Sequence, residues 1–352
     1  MQIQPVHKYS RLKTVAIGTG VMTCLGVTYA VVFGDAHYHA IIIGAVAGLV
    51  IGLVLSIGEV YFFQTRGQRL RFSVLLGLRT LFYVVVISGI VVIVVASHQA
   101  YMDSITLAEA LATERFRSFL IDGEFLRAFV YALTTSLAIN FVRQISRLLG
   151  PNVLLNYLTG RYHRPVEEAR IFMFLDIKSS TAIAERLGNK LYHYFLNDFF
   201  FDLSSPILES RGRIYQYVGD EVVVTWREDE GLQDANCIAC FFRIAAMLHM
   251  HSDRYEKKYG LVPGFKAGYH VGPVIAGEIG DAKKDIVFHG DTVNTAARIR
   301  SECTRLGRDL LFSGDLRRRL TGMDGLIPES VGKIRLRGKQ EEIELFTLEE
   351  AA

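Results

Sequence analysis

Apolar positions crowd the first 142 residues and then thin out into short alternating runs, so the chain changes character once along its length. Four long apolar segments come first, at about residues 14–34, 40–63, 73–97 and 125–142. About 20 residues at a rise of 1.5 Å cross a hydrocarbon layer of roughly 30 Å, so each segment predicts a membrane-spanning helix. The fourth is the most interrupted, with Arg127 inside its start and Asn140 near its end. The first has a basic start, Lys8, Arg11 and Lys13, that also suits a signal peptide, but no small-x-small cleavage site precedes the next apolar segment.

From residue 143 to 166 the composition is mixed. Leu148, Leu149, Leu154, Leu155 and Leu158 form an amphipathic stripe interrupted by Gly150-Pro151. Such a stripe predicts burial against another helix. Because the segment emerges directly from the last span, its expected partner is the same helix of a second copy.

Beyond it, β-rich runs alternate with helical periods: strand 170–176, helix 181–204 bent or ended by Pro206, hairpin 213–226, and helix 232–257. A strand pair near 264–279, helix 291–305, short strands after 309 and a final hairpin around Gly338 follow. That order predicts an α+β domain with a mostly antiparallel sheet. The expected divisions are a four-helix membrane domain at 1–142, a coupling linker at 143–166 and the α+β domain at 167–352.

Charge orients the spans. Lys8, Arg11 and Lys13, and then Arg66, Arg69 and Arg71, flank one side, whereas the loop at 35–39 has no Lys or Arg. Both termini and the α+β domain are therefore expected on the cytoplasmic side of the cell membrane. The connection at 98–124, with its helical period LAEALATERFRSFL, then lies outside. Glu59 and Arg79 fall within the spans, where a mutual salt bridge and separate snorkelling to the interface both fit.

Half of the 352 residues are apolar and mean hydropathy is +0.25, too oily for an all-soluble chain, while 21% are charged. A net charge of +3 without a basic tract points to no nucleic-acid partner. Cys237 and Cys240 sit in a helical pattern, CIACFFRIAAMLHM, which reads as packed, reduced thiols rather than a redox or zinc motif.

Two acids depart from the packing pattern. IFMFLDIKSST ends an apolar run in Asp176, ahead of a small polar turn and a helix start, and IYQYVGDEVVVTW puts Asp220 in the Gly219-Asp220 turn of a hairpin. A carboxylate beside a buried strand is costly unless a cation meets it. Two of them point to a divalent metal.

Four motifs in order, FLDIKSST, YVGDE, the Gly-rich KAGYHVGPVIAGEIG and HGDTVNTAARI, followed by a basic RLRGK, make residues 170–348 resemble the class III nucleotidyl cyclases. The likeness is to the membrane-bound bacterial adenylate cyclases. It implies formation of a cyclic nucleotide and pyrophosphate from a nucleoside triphosphate by a two-metal mechanism, with Mg²⁺ or Mn²⁺, at sites shared across a homodimer. Asp176, Ile177 and Asp220 are the implied metal set. The backbone amides of Ile177, Lys178, Ser179, Ser180 and Thr181 would hold the β- and γ-phosphates at a helix start. The Lys178 side chain either assists or is simply solvated.

Asn294 and Arg298, spaced i and i+4, point the same way from one helix. In the family those positions orient the ribose and neutralise charge on the α-phosphoryl group. Arg300 falls on another face and reads as surface. Lys339, in the RGK turn, matches the family's triphosphate-binding lysine; taken alone it is an exposed hairpin charge.

Two positions depart from the family. Gln216 and Val287 stand where adenylyl cyclases usually carry a lysine and an acid or threonine, and guanylyl cyclases an acid and a cysteine. Gln216 still offers a donor and an acceptor to a purine edge, and Val287 offers neither. ATP is the expected substrate, with GTP the alternative; a second copy and the lipid bilayer are the expected partners.

A catalytically silent nucleotide-binding module is disfavoured because Asp176, Asp220, Asn294, Arg298 and Lys339 are all present. DTVNTAARI has no place in a diguanylate cyclase, and four helices without broken pairs leave little to build a transport path.

Overall fold

A computed structural model describes residues 6–33, 38–63, 70–150, 152–321 and 327–349, with the side chains of 6–11, 13, 14 and 349 excepted. The chain divides into two compact units, meeting in sequence between Leu149 and Gly150.

The first unit holds α1 (Val6–Phe33), α2 (Tyr38–Gly58) continued by a π-helical turn at Glu59–Phe63, α3 (Phe72–Asp103), α4 (Leu107–Ala112), α5 (Glu114–Ile121) and α6 (Glu124–Leu149). Four of these helical stretches are long and apolar enough to cross a membrane. Glycines set the approach of α1 to α2: a Cβ at Gly26 would lie 2.2 Å from the Gly44 carbonyl oxygen, and one at Gly48 2.5 Å from that of Met22. Small residues at such a seam let two backbones come together without a large apolar gain from water.

Glu59 and Arg79 pair at 2.9 Å, both side chains buried, with the guanidinium over the Phe63 ring at 5.3 Å. Pairing prevails over snorkelling because either charge alone among apolar helices would be uncompensated. The helical period at 98–124 forms two helices rather than one, divided where Thr113 caps α5. The side chains of Lys8, Arg11 and Lys13, and all of Asp35, Arg66 and Arg69, lie outside the described residues.

The second unit begins with α7 (Val153–Thr159), then β1 (Val166–Ile177), α8 (Ser180–Glu209), β2 (Arg213–Val218), β3 (Glu221–Arg227), α9 (Glu228–Leu232), α10 (Asn236–Met250) and α11 (Ser252–Tyr259). It continues through β4 (Phe265–Ile279), β5 (Asp285–His289), α12 (Asp291–Leu306), β6 (Leu310–Ser313), α13 (Gly314–Arg319), β7 (Ile327–Arg335) and β8 (Glu342–Glu349). Among the described residues the strands form one sheet in the order β2-β3-β1-β4-β6-β8-β7, with β5 also on β4. Every pairing is antiparallel except β4 with β6.

β1 lies between β3 and β4 and is buried on both faces from Arg170 onward, which explains its unbroken apolar run. Ile171, Met173, Leu175 and Ile177 join Phe195, Phe199, Trp226 and Ile244 in the main core. Phe172 and Phe174 face Val223, Val274 and Ala296 on the other side. The C-x-x-C thiols are fully buried and unbridged, and burial pushes both up to about 12.

Four expected elements fall differently. The break in α8 is at Gly188, with φ +71°, while Pro206 sits inside a helix that runs on to Glu209. The expected helix at 232–257 is divided by Asp234 and Ala235, both at positive φ, and again at His251. The Gly-rich stretch 264–279 is one continuous strand rather than a pair, because its glycines receive a helix instead of making a turn. In the stripe at 143–166, residues 143–149 prolong α6, and a separate α7 follows Gly150 at φ +95°; Pro151 lies outside the described residues.

Candidate active site

The end of β1 gathers the acids. Antiparallel register sets Asp176 opposite Glu221 on β3 and opposite Lys266 on β4, while Gly219, at φ +64°, turns the β2–β3 hairpin so that Asp220 comes alongside. The Asp176 and Asp220 carboxyl groups come near enough to shift each other's titration, and a hydrogen bond between them requires that one carry a proton. Burial first, then this like-charged neighbour, raises Asp176 above the usual carboxylate range against the pull of Arg300 and Lys266. Burial works against Asp220 too, but hydrogen bonds with Ser180 and Asp176 hold it below that range.

Two cations already attend Asp176: Lys266 Nζ is 3.4 Å and Arg300 Nη1 3.2 Å from its Oδ2. Arg300 Nη2 lies 2.5 Å from Glu221 Oε2. Arg300 is therefore part of the acid cluster and not plain surface. Two residues on from Arg298 it is turned about 200° around the helix, and that side of α12 meets the strand ends.

The loop after β1 is narrower as an amide source than its sequence implies. Ile177 is the last ladder residue of β1, opposite Phe265, with its side chain in the core, and the Lys178 N–H donates to the Gly264 carbonyl at 2.9 Å. Ser179 takes a left-handed backbone, φ +54°, as the N-cap of α8, leaving the first-turn amides from Ser180 and Thr181 without intrahelical partners. Lys178 is exposed and not aimed at the acids: its Nζ lies 2.5 Å from Asp309 Oδ1, at the rim of a separate cavity of about 730 Å³ lined by Phe241, Val262 and Phe265.

α12 rests directly on β4. A Cβ at Gly268 would meet the Arg300 nitrogen at 2.2 Å, and one at Gly272 the Thr292 hydroxyl at 2.6 Å; that hydroxyl donates to the Pro273 carbonyl at 2.7 Å. This seating leaves Asn294 exposed and Arg298 half-buried beside the β7–β8 turn, where a Cβ on Gly338 would be 3.6 Å from its guanidinium. Lys339, in the same turn, is paired with Asp291 rather than free, and that lysine holds the Asp291 carboxyl below its usual range. Among the described residues no hydrogen bond or ion pair joins the group of Asn294, Arg298 and Lys339 to Asp176 or Asp220.

Gln216 is exposed on β2 just after a bulge, and Val287 is half-buried on β5 opposite Gly277. Their chain neighbours Tyr215 and Phe288 meet edge to face at 5.1 Å. The sequence reasoning missed Lys266, Glu221 and Arg300 as members of the cluster. For Glu221 the signal was present, as the residue directly after Asp220.

Among the described residues no group of three or more His, Cys, Asp or Glu is arranged to hold a metal. Two carboxylates side by side at a half-buried strand end nevertheless fit a hard divalent cation, since Mg²⁺ is commonly held by one or two carboxylates together with substrate phosphates.

Residues 162–350 match the adenylate and guanylate cyclase catalytic domain. Over 223 residues the chain is 41% identical to adenylate cyclase 2 of Rhizobium meliloti (strain 1021), a match that covers 63% of this chain and 61% of that protein. It is 27% identical over 166 residues to a receptor-type guanylate cyclase of Caenorhabditis elegans, covering 46% of this chain and 15% of that protein. The fold resembles a bacterial light-regulated adenylyl cyclase with a TM-score of 0.54 at 21% identity, over 63% of this chain and 64% of that one. The chain thus spans less than two thirds of the length of these relatives.

Proposed function

The chain belongs to the adenylate and guanylate cyclase catalytic domain family, and we propose that it is a membrane-anchored adenylate cyclase converting ATP to 3′,5′-cyclic AMP and pyrophosphate at sites shared by two copies. The observation that carries this is the separation within one chain. The acids cluster at the end of β1, while Asn294, Arg298 and Lys339 gather around α12 and the β7–β8 turn with no bond between the groups. Two copies related by a two-fold axis would complete two sites at once.

Cyclases of this family generally use divalent metals, and here the proposed set is two Mg²⁺ or Mn²⁺ ions held by Asp176, Asp220 and the backbone carbonyl of Ile177. When bound, such ions lower the cost of charge on the attacking ribose 3′-oxygen and on the leaving pyrophosphate. The amides of Ser179, Ser180 and Thr181 bind the terminal phosphates at the start of α8. From the other copy, Asn294 orients the ribose, Arg298 offsets the charge growing on the α-phosphoryl oxygens, and Lys339 leaves Asp291 to bind the triphosphate. Gln216 and Val287 line the purine, with Gln216 the polar contact.

Four helices of sufficient length and apolarity support membrane insertion, and the Lys and Arg positions support cytoplasmic termini and a cytoplasmic catalytic domain. Residues 143–166 couple the two parts. Leu155 and Leu158 of α7, 57% and 77% exposed, support a dimer seam there.

The full chain should form cyclic AMP from ATP in preference to cyclic GMP from GTP, measured with Mg²⁺ and with Mn²⁺. Asp176→Ala and Asp220→Ala should remove the product. Absence of both cyclic nucleotides from folded wild type, or equal activity in either variant, would refute the assignment; a preference for GTP would overturn the choice of base.

A further inference from the structure

The acid pair is not bare in the folded chain. Asp176 Oδ2 is approached by both Arg300 and Lys266, at 3.2 Å and 3.4 Å. A divalent ion drawn to that oxygen would meet two cations within bonding distance of it. Arg300 has no part in the proposed reaction: it points away from the Asn294–Arg298 face. Its backbone is held firmly, because α12 sits on Gly268 so closely that a Cβ there would touch the Arg300 nitrogen. The guanidinium is thus delivered from a fixed point, and its other arm grips Glu221 at 2.5 Å.

We propose that Arg300 is the resident counter-cation of the acid pair, a positioning residue that stands against Asp176 when no metal is bound and must release it for the metal site to fill. This rests on the metal assignment to Asp176 and Asp220. Glu221 is the pivot. By keeping Nη2 while Nη1 lets go of Asp176, it gives the guanidinium somewhere to remain, so release requires a rotation of the fork and not transfer of the whole side chain to water. Metal affinity is then the outcome of a competition between a tethered guanidinium and a divalent ion for the same oxygen.

The test is Mn²⁺ binding to the full chain in detergent micelles without nucleotide, read from the electron paramagnetic resonance signal of free Mn²⁺, with melting temperature measured alongside. Removing a unit charge a few ångströms from the metal position should tighten binding on the order of ten-fold, so Arg300→Ala should bind Mn²⁺ more tightly than wild type. It should also melt lower without metal and gain more on adding it. Arg300→Lys, which keeps the charge, should stay near wild type. Arg300→Gln, which removes the charge but keeps a polar head for Glu221, should also bind Mn²⁺ more tightly, which decides the matter even if Arg300→Ala fails to fold.

Affinity equal to or weaker than wild type in Arg300→Ala, or in Arg300→Gln should the alanine variant not fold, overturns the proposal. Asp176→Asn separates the two levels. If it binds Mn²⁺ as wild type does, the metal assignment itself falls; if it loses the ion while Arg300→Ala is unaffected, only the counter-cation role falls.

Discussion

Replacing Gly268 with Ala adds one methyl group at the point where α12 is closest to β4. The added carbon would lie 2.2 Å from the Arg300 nitrogen, 2.6 Å from the Arg300 Cα and 2.8 Å from the Ile299 carbonyl carbon. All three are backbone atoms, so no side chain can turn aside. Restoring ordinary contact requires α12 to lift by about 1 Å, and overpacking of this kind costs roughly 1–3 kcal/mol. The helix that lifts carries Asn294 and Arg298, and displacing reacting partners by about 1 Å can cost on the order of 100-fold in rate. Gly272→Ala is the matched comparison. Its new carbon would meet the Thr292 hydroxyl at 2.6 Å, a group that can rotate at the loss of its bond to the Pro273 carbonyl, about 1 kcal/mol. Cyclic AMP formation at saturating Mn²⁺, with melting temperature as the folding control, should therefore fall far more in Gly268→Ala than in Gly272→Ala. Activity of Gly268→Ala within three-fold of wild type, or a larger loss in Gly272→Ala, would refute the claim that this contact sets the position of α12.

Asp176→Ala and Arg298→Ala should each be inactive alone, yet regain activity when co-expressed, up to about a quarter of wild type when half the dimers are mixed and each has one intact site. Co-purified mutants that stay inactive would place the whole site within one chain. His270, buried on β4 with Nδ1 2.7 Å from Ser313 Oγ, is lowered from 6.5 to about 4 by burial. Between those values the unfolded chain binds a proton that the folded one refuses, so stability present above pH 6.5 should fall as pH drops toward 4, by up to ~3 kcal/mol. Melting temperature followed over that range should show a shallower decline in His270→Leu than in wild type, and parallel curves would dismiss His270 as the source.

Local pattern carried much of the fold into view. The apolar run before Asp176 is a strand because both its faces are covered, and the hairpin around Gly219 follows from turn chemistry at a single glycine. Where local signals misled, a distant partner decided the outcome. Gly268 and Gly272 suggest a turn, but the missing Cβ atoms are used to seat α12, a helix that begins about twenty residues further on. Pro206 suggests a break, yet its helix continues and gives way at Gly188, whose positive φ is open to glycine.

The candidate site shows the same division more sharply. Asp176 and Asp220 can be named from a strand end and a turn, whereas Asn294 and Arg298 come from the resemblance to the cyclases, the i, i+4 period showing only that they leave their helix on one side. What a side chain meets is another matter. Lys178, two residues beyond Asp176, turns to Asp309, and Lys339 turns to Asp291. Arg298 and Arg300 flank the buried Ile299 on one helix, so a step of about 100° in each direction sends one guanidinium to the β7–β8 turn and the other to the acids. Periodicity gives that divergence but cannot say which arginine faces carboxylates, since the answer depends on β1, β3 and α12 meeting at one end of the sheet. A charge near a motif is therefore weak evidence of its role until the opposing element is known, and Arg300, outside the motif's spacing, joins Lys266 as a cation that reaches its acids.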